Sequence, residues 1–347
     1  MSLSIKELAK NMDVSMSTVS RALSGKEGVS EAKRKLIMAE ARKQGYKPDS
    51  MASSLRTGKG QGVTLIVAQN GPEVMLRRNH LLFEMAKKAF GSIRVVVVGS
   101  SNLNDEIWNA VAERTRAVVL TFKSGELLPE IRKLLNDRKI PLTAVDCMCD
   151  GFDSVLIDRA AGTYQAARML LLCGCKNPVF YSTAPVGTED SRMRGIVKAF
   201  QSLGKSPSEI NISRIQGWSG DSKGGVSQAE KVLSSQSVDG IFCYNDLMAI
   251  GTMRVLMKAG LRVPENVRVI GFDDIPIVEA LPISLTSVAQ PGKKLVRAAI
   301  DLTLDKMDNF DRPPKDIIFP SSLVVRESSP ITDNSLRNEI FAKADFK

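Results

Sequence analysis

Apolar residues recur three and four positions apart over the first forty residues, which is the spacing of amphipathic helices. Ser4-Ile5-Lys6-Glu7 forms a capping box, and the helix it opens carries Ile5, Leu8, Ala9 and Met12 on one face. Asn11-Met12-Asp13 reads as a stop, and Val14 as an apolar plug behind it. Ser15 then caps a second short helix, Met16 to Leu23, with Val19, Ala22 and Leu23 turned inward. After a polar loop, Ser24-Gly25-Lys26-Glu27-Gly28, Ser30 caps a third helix from Glu31 to Gln44. Leu36, Ile37, Ala39 and Ala41 are available for its inner side, and Gly45 ends it in a left-handed conformation. Two short helices across a tight turn, braced by a third, make a helix-turn-helix unit. Beyond it, Asp49 or Ser50 can cap one or two helical turns carrying Ala52 and Leu55 and ended by Gly58. So short a helix is not stable alone in water, and ordering it requires a partner.

From Val63 the period changes. Short apolar runs at 63–67, 94–98, 117–120 and 142–145 alternate with helical stretches, and a second set follows at 178–181, 240–243 and 267–270. Helices are expected near 160–173, 190–203, 225–233 and 246–258. That alternation predicts parallel α/β units, and two doubly wound sheets with a ligand crevice between them are the natural arrangement. The fold class is therefore α/β, a small all-α head followed by two Rossmann-like subdomains. The expected boundaries are 1–48 for the head, 49–61 for hinge helix and linker, 62–330 for the two-subdomain body and 331–347 for a tail. No apolar run approaches the ~20 residues that span a bilayer, and the N-terminus has no apolar signal core. A cytoplasmic protein without membrane contact is expected.

Charge sharpens the picture of the head. Residues 1–60 hold twelve Lys/Arg against six Asp/Glu, +6 of the chain's total of +10. Such a concentration suits phosphate neutralisation on nucleic acid. The outer positions of the second helix are Met16, Ser17, Ser20 and Arg21, small or reaching side chains that can approach base edges. Arg21 can donate two hydrogen bonds to guanine O6 and N7 in the major groove. Ser15, Thr18 and Ser20 can hold phosphates. An exposed Leu55, paired with its twin from a second subunit, can wedge between base steps in the minor groove.

Enzyme chemistry finds little support. The five cysteines, Cys147, Cys149, Cys173, Cys175 and Cys243, form no Cys-x-x-Cys pair, and His80 is the only histidine. Buried or idle thiols are the expected state, with no metal, no cofactor and no Ser-His or Cys-His nucleophile. Neither the Gly-x-x-x-x-Gly-Lys-Ser/Thr phosphate loop nor the dinucleotide fingerprint is present; the glycines of 58–62 precede a strand rather than follow one. Several strand ends do carry groups suited to a small polar molecule. Asn245-Asp246 follows one apolar run and Asp273-Asp274 another, Arg192 lies near a helix start, and Trp218 lies in a Gly-rich loop. A tryptophan face with carboxylate and guanidinium groups can hold a sugar or nucleoside. Each has a plainer alternative: Asp246 as a helix cap, Asp274 as a turn residue, Trp218 as core.

The chain resembles the LacI/GalR family of bacterial transcription regulators. The resemblance is carried by Val14-Ser15-x-x-Thr18-Val19-Ser20-Arg21-Ala22-Leu23, then Val29-Ser30, Gly45-Tyr46-x-Pro48 and Ala52-x-x-Leu55-Arg56. In the body it is carried by Ser191-Arg192-x-x-Gly195, Asn245-Asp246-x-Met248-Ala249-x-Gly251, Val263-Pro264, Gly271-Phe272-Asp273-Asp274 and Leu285-Thr286-Ser287-Val288. It implies that Met16, Ser17 and Arg21 read bases, with Ser15, Thr18, Ser20, Ser30, Tyr46 and Ala52 in the DNA-binding set. It further implies that Leu55 is the intercalating hinge residue and that the body is periplasmic-binding-protein-like. Arg192, Asn245 and Asp273, then Trp218 and Asp146, are the effector-site residues it implies.

The expected protein is a homodimeric repressor on a pseudo-palindromic operator, controlled by a sugar or related metabolite, and not an enzyme. The dimer is expected to be buried partly through the helix at Leu81-Leu82-Phe83-x-Met85, and the apolar residues of 331–347 are too few for a sustained tetramer coil. A solute-binding protein of the same body fold is the alternative, but it has no use for residues 1–58. The chain departs from the family at Asp146-Cys147, where Asp-Arg is usual, and at Asp158-Arg159, where Asp-Asn is usual. The charge at Arg159 favours an acidic or phosphorylated effector, or else it faces solvent or pairs with a neighbour.

Overall fold

The computed structural model describes residues 5–23, 28–43, 62–69, 71–99, 103–121, 127–186, 190–215 and 220–342. Two compact units emerge, Met1–Gln61 with Glu113–Arg116, and Gly62–Ala112 with Ala117–Lys347.

Among the described residues the first unit has three helices, α1 (Ile5–Asn11), α2 (Met16–Leu23) and α3 (Glu31–Lys43). Leu8, Ala9, Val19, Ala22, Ile37 and Ala41 form its core, edged by Met12, Val14 and Val29. The turn between α1 and α2 is closed by Asp13 at φ 48°, with the Val14 amide donating to the Ala9 carbonyl. The inner face of α3 differs from expectation: Leu36 is 66% exposed and Ala39 is also exposed. The buried pair is Ile37 and Ala41, four residues apart. Each step of a helix turns about 100°, so Leu36 cannot share that narrow stripe. Ser4, the loop at 24–27 and the stretch 44–61, with Gly45 and the whole expected hinge, lie outside the described residues.

The second unit contains two six-stranded sheets. The first has the order β11-β5-β4-β3-β1-β2, all parallel, from β1 (Val63–Ala68), β2 (Ile93–Val98), β3 (Ala117–Leu120), β4 (Leu142–Val145), β5 (Asp153–Asp158) and β11 (Asp316–Pro320). The second runs β12-β10-β9-β8-β6-β7, from β6 (Pro178–Ser182), β7 (Asn211–Arg214), β8 (Gly240–Phe242), β9 (Arg268–Asp273), β10 (Thr286–Ala289) and the antiparallel β12 (Ser322–Val324). Strands β5, β7, β10, β11 and β12 extend the seven runs read from the sequence.

Alternation along buried strands distributes side chains to two cores. On β1, Val63 and Leu65 face α4 (Glu73–Phe90) and α11 (Gly292–Asp308), whereas Ile66 faces α5 (Leu103–Ala112) and α6 (Pro129–Asp137). In the second sheet, Phe180, Phe242 and Phe272 pack on α7 (Arg159–Leu172) and α8 (Ser191–Ser202). Val179, Ile241 and Val269 pack toward α9 (Ser222–Ser235) and α10 (Asp246–Lys258). The helix expected to take part in the dimer is α4, and Leu82 there is 1% exposed and belongs to the chain's own core. Leu81, Phe83 and Met85 lean on that same core. The last helix, α12 (Asn334–Ile340), buries Ile340 against the second sheet's core beside Leu336 and Phe341.

The chain passes between the sheets at Asp158–Arg159, Ala289–Gly292 and Pro320–Ser322. Ser321 joins the first and last of these passages: its amide and hydroxyl both donate to the Asp158 carbonyl (3.0 and 2.8 Å), and its Oγ accepts from the Gly162 amide (3.1 Å). A Cβ on Gly162 would strike Val288 and Ser321, so glycine is required where α7 meets the crossing strands. Among the described residues, no helix is long and apolar enough to cross a membrane.

Candidate functional site

In the head, the Ser15 hydroxyl accepts from the Thr18 amide (3.1 Å) and caps α2. Its oxygen also lies 2.8 Å from the hydroxyls of Ser17 and Thr18, a small polar cluster at the helix start. Met16 is 50% exposed, and Ser17 and Arg21 are exposed with it, so α2 presents these three outward. Ser30 caps α3 through the Lys33 amide (3.4 Å). The Ser20 side chain and residues Tyr46, Ala52 and Leu55 lie outside the described residues.

In the body, both sheets direct strand C-terminal ends at one cavity of about 340 Å3. Its lining includes Arg78, Asp146, Arg159, Arg192, Asn245 and Asp273, with Asp190, Ser191, Tyr244 and Gln290 completing the polar wall. Four of the five expected effector residues therefore meet there, and the fifth, Trp218, lies outside the described residues. Each is fixed by the end of a strand or the start of a helix. Asn245 caps α10, accepting from the Met248 amide (2.9 Å) and donating to the Gly220 carbonyl (2.7 Å). Arg192 is in the first turn of α8, which Asp190 caps through the Met193 amide (3.0 Å). The Arg192 guanidinium lies between two aromatic rings, 4.0 Å from the Tyr244 centroid and 4.1 Å from that of Phe272. Asp273 ends β9 at φ 111° and accepts from Gln290 Nε2 (2.5 Å). Burial pushes its carboxyl up to about 6, although Arg192 and the Gln290 bond pull the other way.

Asp146 follows β4 at φ 60° and is clamped. Arg78 Nη1 donates to Oδ2 (2.8 Å), and Arg159 Nη2 donates to Oδ1 (2.8 Å) and Oδ2 (2.7 Å). Burial alone raises this carboxyl, but the two guanidinia outweigh it and hold it below the usual carboxylate range. Arg159 thus pairs with a neighbour through Nη2. Asp158 explains its position: that carboxylate caps α7, accepting from the amides of Ala160 and Ala161, which places Arg159 at the first helical residue.

Two other acidic residues stand apart from the cavity. Asp246 is not the cap of α10; it is buried, accepting from Ser287 Oγ (2.5 Å) and the Ile275 amide (2.9 Å), and burial raises it to about 8. Asp274 pairs with Arg326 (2.7 Å). The sequence did not single out Arg78, Tyr244 and Gln290. The only signal for Arg78 was a charge on an otherwise apolar helical face, and it is 5% exposed.

Thiol chemistry is suppressed. Burial and the neighbouring Asp146 push Cys147 up to about 12, and burial does the same to Cys243. His80 is exposed and pairs with Glu84 (3.3 Å). Among the described residues, no cluster of His, Cys, Asp and Glu has the makings of a metal site.

Residues 4–49 match the model for bacterial regulatory proteins of the lacI family, and residues 167–329 match a periplasmic binding protein-like domain. The HTH-type transcriptional repressor PurR of Escherichia coli O1:K1 is 26% identical, covering 96% of this chain and 98% of its own. The ribose operon repressor of Haemophilus influenzae is 24% identical over 93% of this chain and 98% of its own. Among solved structures, the lac repressor dimer bound to operator and the anti-inducer ONPF superposes with a TM-score of 0.78. That match has 20% identity and covers 95% of this chain and all of the other. Residues 4–49 thus carry a lacI-type helix-turn-helix domain and residues 167–329 a periplasmic-binding-protein-like domain, and the chain is similar from end to end to bacterial transcriptional repressors of the LacI type.

Proposed function

We propose that this chain is a homodimeric repressor of transcription whose operator affinity is set by a small metabolite bound in the body. The observation that carries the reading is the pairing, in one chain, of an outward-facing α2 with a cavity that gathers Arg192, Asn245, Asp273 and Asp146 at strand ends. Met16, Ser17 and Arg21 read bases, while Ser15, Thr18, Ser20, Ser30 and Tyr46 set the head on the backbone. Residues 49–61 are the hinge, where Ala52 and Leu55 act in the minor groove, and Trp218 belongs with the effector residues. The relatives are named as repressors, PurR and the ribose operon repressor among them, which supports repression over catalysis. A regulator of chromosomal operators works in the cytoplasm. A dimer surface is supported by exposed apolar side chains at Leu76 on α4 and at Val95 and Val97 on the edge strand β2.

Ligand in the cavity alters how the two sheets sit about their shared crossings, and the hinge pair orders or melts accordingly. The test is selection of bound DNA from a random pool by the full-length protein, repeated with candidate metabolites. A pseudo-palindromic site whose affinity changes with one metabolite is expected; recovery of unselected sequence would sink the reading. Arg21→Ala should cost about 1–3 kcal/mol on that site by gel shift and relax selection at a guanine. Leu55→Ala should narrow the gap between operator and random DNA, and an unchanged gap removes Leu55 from the hinge role.

A further inference from the structure

The cavity has an imbalance between its open donors and its open acceptors. Three guanidinia, Arg78, Arg159 and Arg192, line it. Arg192 donates no hydrogen bond among the described residues, and its Nε and Nη1 are shut away from solvent without a partner. Arg78 is 5% exposed, spends only Nη1, and leaves a closed-off Nε unpaired. Arg159 spends only Nη2, and its side chain is 26% exposed. The acceptors are more fully used. Both oxygens of Asp146 are taken by arginines, and one oxygen each of Asp190 and Asp273 is taken by the Met193 amide and by Gln290.

A neutral sugar presents hydroxyls that want acceptors, and the strongest carboxylate here is already occupied. The Arg78–Asp146–Arg159 cluster has two cations for one anion, and Arg192 adds a third cation that lies against two aromatic rings, near enough to Asp273 to feel its charge but without a hydrogen bond to it. Among the donors that a ligand's oxygens can reach are the unspent nitrogens of Arg159, whose side chain is 26% exposed and which uses only Nη2. Charge-assisted bonds to phosphate or carboxylate are the strong kind, and arginine's planar fork suits both. A cavity of about 340 Å3 is at the small end of the metabolite range of roughly 300–1,000 Å3.

We propose that the effector carries an oxyanion, a phosphate monoester or a carboxylate, seated against Arg159 and Arg192 with Arg78 behind. The open oxygens of Asp190, Asp273 and Gln290 then receive hydroxyls from the rest of the molecule. This rests on the cavity being the effector site of the regulator.

Calorimetric titration of the full-length protein tests it with inorganic phosphate and matched pairs: ribose and ribose 5-phosphate, glucose and glucose 6-phosphate, glucose and gluconate. At least one anionic member should bind about tenfold or more tightly than its neutral partner, and added salt should weaken it. The phosphate and gluconate arms tell the two oxyanions apart. Arg159→Gln should erase the preference, and Arg192→Gln should do the same with an unchanged circular dichroism spectrum. Lys205→Gln, a surface control, should keep it. Neutral sugars binding as tightly as their anionic partners would overturn the proposal. So would failure of every anionic probe at about 10 mM, or an Arg159→Gln variant that retains the preference. The two readings separate in an operator gel shift. A neutral sugar that binds and changes operator affinity leaves the regulator standing and removes the oxyanion. An anion that binds without touching operator affinity does the reverse.

Discussion

At the scale of single residues, buried charge decides most of what the sequence could not show. Asp246 and Asn245 are adjacent, yet the amide caps the helix and the acid is a buried strut beneath β10. A Cβ on Gly271 would strike the Asp246 carboxylate, so the strut has no room to move away. Raised to about 8, the acid holds a proton in the folded state at pH values where the unfolded chain has released it. Stability from this group is therefore full below the ordinary carboxylate range and is lost as pH rises toward 8. Asp246→Asn can still accept from the Ile275 amide through Oδ1 and instead donate to Ser287 Oγ through Nδ2, without the titration, so its unfolding free energy should vary less between pH 5 and pH 8 than that of the parent. Urea denaturation at the two pH values measures this, and parallel profiles would contradict it.

Asp153 is also fully buried, held by both terminal nitrogens of Arg312 (2.8 and 2.7 Å) and by the Lys315 amide (2.9 Å). Removing the cation strands a buried carboxylate, so Arg312→Ala should cost about 3–5 kcal/mol in chemical denaturation. The strand-end acids and Arg192 were legible because a polar residue closing an apolar run stands out. Arg78 was not, since a charge on a helix normally means solvent, and only its three-dimensional pairing with Asp146 reveals otherwise.

At the scale of elements, helix pairs on the second sheet are set by glycine. A Cβ on Gly195 of α8 would meet Thr163 and the backbone of Ala160 and Tyr164 on α7. One on Gly251 of α10 would strike the backbone of Ser222 and Val226 on α9. These close approaches leave a methyl nowhere to go, so Gly195→Ala should destabilise by about 1–3 kcal/mol through overpacking. A thermal melt unchanged from the parent would show that the helices slide apart freely. Periodicity located the central strands well because burial on both faces makes them continuously apolar. It missed β5, β7, β10, β11 and β12; in β11 and β12 the exposed Asp316, Pro320 and Ser322 interrupt the pattern. It misplaced the inner side of α3 because Leu36 is apolar but turned outward. The head's helix boundaries, by contrast, were written in Ser15 and Ser30, whose caps the structure contains.

At the scale of the whole molecule, control of DNA by a metabolite needs two sheets that can shift without separating. The three crossings supply this, and Ser321 ties two of them in its 1% exposed position. Ser321→Ala leaves the Gly162 amide without its acceptor, at about 1–3 kcal/mol. It should also change the ratio of operator affinity with and without effector, a readout that plain destabilisation does not move. The sequence showed two sheets but not that they share the chain so thoroughly, because a crossing of three residues has no pattern of its own.

That sharing has a consequence during synthesis. The first sheet begins at Val63, but its cover helix α11 and outer strand β11 are not complete until residue 320. While the ribosome makes the intervening residues, Val63, Leu65, Val119 and Val155 await the side chains of Leu295, Val296 and Ala299 that will cover them. The second sheet waits likewise for β12, which follows immediately. Both halves are therefore finished almost together, once residue 324 has been made, and the nascent chain carries an open apolar face while the residues between 63 and 320 are synthesised.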